Sequence, residues 1–210
     1  MRLLRNLTGL ATIGLLFGSA SVLPAQTLFQ NSTGIASPAT TITFSEHVLA
    51  TGANVTTQYS DLGVTFSPNL FYSPQIMAAP HFDSRDLGDY YPVGGMVVPF
   101  DIKFNTVQTD AAFALLTNPG TTTFQALLNG NLVGSGTAPT NYTQTTNFYG
   151  FTGGHFDTIR VTPGGAGQGA LLDNLQFGSV TPEGDSLAML AMGGLPIAAG
   201  LGRKFRRKKA

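Results

Sequence analysis

The chain has 210 residues, of which 42% are hydrophobic, 10% are charged and none is Cys or Trp. That length allows one ordinary domain with short appendages, and an apolar fraction this high, with 15 Phe, excludes wholesale disorder. The absence of Cys excludes a disulfide scaffold, a thiolate metal centre and a thiol nucleophile.

The formal net charge of zero hides a segregation. Arg2 and Arg5 open the chain, and Arg203, Lys204, Arg206, Arg207, Lys208 and Lys209 close it. Between residues 26 and 180 there are three basic residues against nine acidic ones, a formal charge of −6. A middle of that sign excludes nucleic acid as a partner, because neutralising phosphates requires a basic surface.

Residues 1–25 run from the two arginines through an apolar stretch, 7–17, to small residues and Leu23-Pro24-Ala25 before Gln26. This is the layout of a secretory signal peptide read by Sec export machinery, with Ser19-Ala20-Ser21 as a rival cleavage site. Residues 26–40 are polar and punctuated by Pro, and read as a leader.

From residue 41 to 180 the chain breaks into short β-type runs separated by Gly, Pro and Asn. Strands are predicted at 41–44, 63–67, 70–73, 96–98, 101–104, 111–117, 121–128, 132–135, 146–152, 156–162 and 170–177. Asn129-Gly130 between two apolar runs is the strongest hairpin signal. No long helical pattern separates the strands, so the expected fold is all-β, an antiparallel β-sandwich of jelly-roll type.

Residues 181–210 have three parts. Thr181-Pro182-Glu183-Gly184-Asp185-Ser186 is followed by an uncharged run, 187–201, and then by the basic cluster. The run is apolar all round, which speaks against an ordinary amphipathic core helix. As a helix it would be roughly 22 Å long, short of a hydrocarbon core of about 30 Å, yet it can be held if the basic residues snorkel. The basic cluster predicts that the extreme C-terminus stays cytoplasmic.

Pro182-Glu183, Ser186-Leu187-Ala188, Leu190, Gly193-Gly194-Leu195 and the closing cluster resemble the PEP-CTERM sorting signal. That pattern is Pro-Glu-Pro, a Gly-rich apolar helix and a terminal Arg cluster; Gly184 stands where it has its second Pro. The resemblance implies a bacterial exoprotein of Gram-negative type. It would be anchored transiently in the inner membrane, then recognised near Pro182, Glu183 and Gly184 by an exosortase, a membrane protease or transpeptidase. Its destination would be the cell surface or the extracellular space. Residues 43–46, 58–66, 156–161 and 172–178 are in turn similar to domains found ahead of such signals. The resemblance implies a β-sandwich like those of carbohydrate-binding modules, mostly without assigned activity, with polysaccharide as a candidate partner.

Strand alternation over 171–177 puts Asp173 on one face with Leu171, Leu175 and Phe177. The same parity over 42–46 puts Glu46 with Ile42 and Phe44. First and last strands are often neighbours in a jelly roll, so Glu46 and Asp173 are candidate ligands of a structural calcium ion. The similarity to carbohydrate-binding jelly rolls implies such an ion too. The alternative is that both carboxylates accept backbone N–H groups or lie just past a strand end.

Asp83, Asp86 and Asp89 form a D-x-x-D-x-x-D series that reads as a solvated acidic loop. His47, His81 and His155 lack metal-ligand spacing. Tyr72, Tyr90, Tyr91, Tyr142 and Tyr149 are candidates for a sugar platform or for packing. The chain carries no Gly-x-Ser-x-Gly, no His-Glu-x-x-His and no phosphate loop before a helix. The reading is an exported, non-catalytic β-sandwich protein. The alternatives are a calcium-dependent carbohydrate-binding module or lectin, and an exported hydrolase.

Overall fold

A computed structural model describes residues 26–73, 79–82, 85–88, 99–164 and 169–179. The signal peptide, the sorting motif at Pro182, Glu183 and Gly184, the apolar run, the basic tail and the predicted strand 96–98 lie outside them. Among the described residues no helix is long and apolar enough to cross a membrane.

The described residues form two antiparallel sheets. The seven-stranded sheet contains β1 (Thr27–Asn31), β2 (Pro38–Ile42), β4 (Phe71–Ser73), β5 (Asp86–Gly88), β7 (Ala111–Thr117), β10 (Phe148–Thr152) and β12 (Ala170–Ser179). Its order is β1-β10-β7-β12-β5-β4, with β2 also paired to β12. The five-stranded sheet runs in the order β3 (Val64–Phe66), β6 (Phe100–Gln108), β11 (Phe156–Thr162), β8 (Gly120–Leu128) and β9 (Asn131–Thr140). The single helical element among these residues is a 3-10 turn at Ser60–Leu62, closed by Gly63 at φ 93°.

One core lies between the sheets. Phe100, Ile102, Phe124, Ala126, Ile159 and Val161 point into it from the five-stranded sheet, and Phe113, Leu115, Tyr149, Phe151, Leu172 and Leu175 meet them. Phe124 stacks on Tyr149 at 5.1 Å between centroids and 14° between planes. Each fully buried ring of this kind contributes about 2–3 kcal/mol of burial energy. The architecture is therefore a β-sandwich.

The expectation of a leader at 26–40 is corrected. Thr27–Asn31 pairs with β10, and Pro38–Ile42 pairs with β12. Polar edge strands of five residues leave little alternation to read. The strand predicted at 41–44 overlaps β2, which does pair with the last strand, Ile42 opposite Leu175, whereas the first strand of the fold, β1, pairs with β10.

The Asn129-Gly130 hairpin is present: Leu128 pairs with Asn131, leaving two turn residues at φ 51° and 79°, as a type I′ turn requires. The run AAFALLT is a strand buried on both faces. Phe113 and Leu115 enter the main core, while Ala112, Ala114 and Leu116 face a second cluster with Phe82 and Phe148. The segment 79–82 thus covers the outer face of the seven-stranded sheet. It is tied down where Asn147 Nδ2 donates to the Pro80 carbonyl and Asn174 Nδ2 to the His81 carbonyl, both at 2.8 Å.

Candidate functional site

The outward face of the five-stranded sheet carries an open groove of about 580 Å³. Its floor follows from alternation. In β6, Ile102 and Phe104 turn inward, so Asp101, Lys103 and Asn105 turn outward. In β11, Ile159 and Val161 turn inward, so Thr158 and Arg160 turn outward. Pairing sets Lys103 opposite Thr158 and Asp101 opposite Arg160. The Asn129-Gly130 tip and Asp157 close one end, and Val107, 53% exposed, forms an apolar lip.

Arg160 grips Asp101 with two parallel bonds, Nε to Oδ1 at 2.7 Å and Nη2 to Oδ2 at 2.9 Å. That hydrogen bonding, with the charge of Asp101, holds the guanidinium above its ordinary pKa. Asp157 Oδ2 accepts the Asn129 N–H at 2.7 Å, and its Oδ1 accepts from the Thr158 hydroxyl at 2.9 Å. Both groove carboxylates are therefore engaged. Lys103 is exposed and makes no ion pair among the described residues. The groove presents mixed-sign hydrogen-bonding groups beside small apolar surfaces, chemistry that suits a hydroxyl-rich ligand.

The proposed partnership of Glu46 and Asp173 is not formed. β2 ends at Ile42, and Phe44 sits in the left-handed region at φ 56°, which breaks the parity assumed for Glu46. Glu46 is exposed, and its Oε1 accepts from Thr43 N at 2.8 Å and Thr43 Oγ1 at 2.9 Å. It closes a turn just past a strand end.

Asp173 is buried, 2% exposed, but not on the expected face. A β-bulge after it, with Asn174 at φ 47°, shifts the register between Asp173 and Gln176. Leu172, Leu175 and Phe177 therefore fill the main core, while Leu171 joins the outer cluster. Asp173 pairs with Ala114 of that outer cluster, and paired residues share a face. Its Oδ1 accepts the Asn174 N–H at 2.6 Å.

The acidic loop is also corrected, at Asp86. This residue opens β5 and is 1% exposed. Burial pushes its carboxyl up to about 7, against a smaller lowering by the Ser73 hydroxyl. Asp83 and Asp89 lie outside the described residues.

The histidines are not gathered: His47 bonds Asp61 at 3.1 Å, His81 packs on Phe148, and His155 is exposed. Tyr72 and Tyr149 are core residues, whereas Tyr142 is 50% exposed; Tyr90 and Tyr91 lie outside the described residues. The groove residues escaped the sequence reading, although their signal was present in the alternation D-I-K-F-N over 101–105 and T-I-R over 158–160.

The fold and groove define an all-β sandwich with a polar face. No known family model matches the chain, and no curated protein matches it in sequence. Among solved structures the chain is similar to one described as TmCBM61 in complex with beta-1,4-galactotriose. The identity is 11% and the TM-score 0.35, over 60% of this chain and 99% of that one.

Proposed function

We propose that this is an exported, non-catalytic β-sandwich protein of PEP-CTERM type, working at the cell surface or in an extracellular polysaccharide matrix. The observation that carries the reading is how the fold sits between the two terminal signals. β1 opens at Thr27, directly after the cleavage site before Gln26, and β12 closes at Ser179, just before Pro182. Removing residues 1–25 and everything beyond Glu183 leaves every described strand whole.

In this reading Sec machinery exports the chain, and the run 187–201 holds the precursor in the inner membrane. Arg203, Lys204, Arg206, Arg207, Lys208 and Lys209 keep the tail on the cytoplasmic side. An exosortase-type enzyme then acts at Pro182-Glu183-Gly184, where Pro and Gly both disfavour helix. The jelly-roll path is part of the reading; it is supported by β6, β7 and β8, which alternate between the sheets. In a host carrying such an enzyme, Glu183→Ala should accumulate as membrane-bound precursor while wild type is processed. Equal processing of both, or processing of wild type in a host without the enzyme, contradicts it.

The groove favours a second reading, a carbohydrate-binding module. Lys103, Asn129 and Arg160 offer donors and Asp157 an acceptor along one face. Migration of the protein through gels containing acidic and neutral polysaccharides tests it. Retardation that Lys103→Ala abolishes supports the reading, and unretarded migration in every gel overturns it.

A further inference from the structure

The start of the fold brings a polar side chain inward. β1 opens at Thr27, and alternation puts Gln26 on the same side as Leu28, which packs against the main core. Both residues meet β9, the edge strand of the other sheet, where it has no side chain. A Cβ built on Gly136 would lie 2.7 Å from Leu28 Cδ2. One built on Gly134 would collide with Gln26 Cβ and lie 3.2 Å from both its Cγ and its carbonyl oxygen. Two glycines of β9 thus form a seat for residues 26 and 28.

A primary amide fills that seat badly. Gln26 is 7% exposed in the whole chain, and neither its Oε1 nor its Nε2 has a hydrogen-bond partner among the described residues. A buried amide left alone gives up its water without recovering the bonds. The neighbouring ladder does not reach it, because pairing with β10 starts at Thr27.

Export adds a second cost at the same place. Cleavage before Gln26, the part of the proposed function on which this step rests, turns the Gln26 backbone nitrogen into an α-ammonium group. A charge on a nearly buried residue, beside an unpaired amide, is unfavourable without a counter-charge. One reaction removes both groups. An α-amino group, with a pKa of about 8, is partly neutral at pH 7 and can attack the Cδ of its own side chain. The N–Cδ bond forms, the Cδ–Nε2 bond breaks, and Nε2 departs as ammonia. No oxidant or other reactant is consumed. The product is a neutral five-membered lactam with one N–H and one ring carbonyl.

We propose that Gln26, as the first residue of the exported chain, closes to pyroglutamate, and that the lactam ring occupies the seat over Gly134. The ring removes a buried unpaired amide group and a terminal charge together, and it caps β1 against β9.

The test is mass mapping of the N-terminal peptide of protein freshly recovered from the medium of an exporting host. The expected peptide starts at residue 26, is lighter by one ammonia than the open form, and is blocked to stepwise N-terminal degradation. A peptide that starts at Gln26 with a free amine overturns the proposal and leaves the cleavage reading standing. Cyclisation that is absent at recovery and appears only on storage does the same. A chain that starts elsewhere overturns both. Exported Gln26→Asn keeps a side-chain amide but is one carbon too short to close that ring. It should carry a free N-terminus and melt lower than wild type by about 3–6 °C. Equal melting temperatures overturn the seat. That difference should vanish in a Gly134→Ala background, where the added methyl group excludes residue 26 from β9. Because the mass arm uses the unaltered protein, its answer stands even if a variant fails to fold.

Discussion

Removing one hydroxyl group, in Tyr59→Phe, tests why the chain turns away from the core after β2. Tyr59 is fully buried, with its ring edge-on to Phe44 at 5.3 Å and to Phe66 at 6.3 Å. Its hydroxyl donates to the Phe44 carbonyl at 3.1 Å and to the His47 carbonyl at 3.2 Å. Phe44 holds φ 56°, a conformation that costs an L-residue about 1–2 kcal/mol. The tether fixes that kink, and the kink directs Glu46 to solvent. Phenylalanine preserves the ring contacts and removes only the tether. The loss is the net value of a hydrogen bond plus the desolvation of a buried carbonyl left alone, together about 1–3 kcal/mol. With a urea m-value of about 2 kcal/mol/M, the unfolding midpoint followed by circular dichroism should fall by roughly 0.5–1.5 M at unchanged slope. Tyr142→Phe, at a half-exposed position, should stay within about 0.5 kcal/mol of wild type. Equal midpoints for Tyr59→Phe and wild type would refute the role assigned to the hydroxyl.

Gly150→Ala should be among the costliest single-methyl additions. Its Cβ would lie 2.7 Å from Ala112 Cα and press on the Ala111 carbonyl, and β10 is held between β1 and β7. A loss of about 3 kcal/mol, or roughly 6–12 °C in a thermal melt, is expected; a shift below about 2 °C contradicts the packing. In alkali, burial pushes the Tyr149 phenol up to about 12 and moves Tyr59 in the same direction. The native state thus holds these protons after the unfolded chain has lost its own near pH 10. That stabilisation is complete below pH 10 and is lost as pH rises towards 12, about 2–3 kcal/mol for Tyr149. Phenolate absorbance should therefore rise in two stages, the later one together with loss of the circular dichroism signal. All six tyrosines ionising near pH 10 with the fold intact would contradict it.

What the sequence made legible was local. Asn129-Gly130 announced its own hairpin, because few residue pairs accept two positive φ angles in succession. The alternation in β6 and β11 also carries the division of core from surface, a signal the sequence reading left unused. What stayed hidden depended on partners distant in the chain. β5 has only three residues, two of them Asp86 and Gly88, so no pattern distinguished it from a loop; pairing with β4 and β12 makes it a strand. The face of Asp173 was misjudged because parity holds only while a strand is regular, and one residue in the left-handed region reverses it. Asn174 was the visible warning, since Asn tolerates that region better than most residues. Glu46 failed for the same reason at Phe44, where the residue type gave no warning at all. The Lys103–Thr158 and Asp101–Arg160 adjacencies of the groove required knowing that β6 lies beside β11.

The central claim is that an intact sandwich is cut free of two addresses, and intact-mass spectrometry of the protein recovered from cells and medium measures it directly. The account predicts an N-terminus near Gln26 and a C-terminus near Pro182-Glu183. The resulting species should migrate in isoelectric focusing well below the whole-chain pI of about 6.8, because the basic tail has been removed. Recovery from the medium of a chain that still carries Arg203 through Lys209 would contradict it.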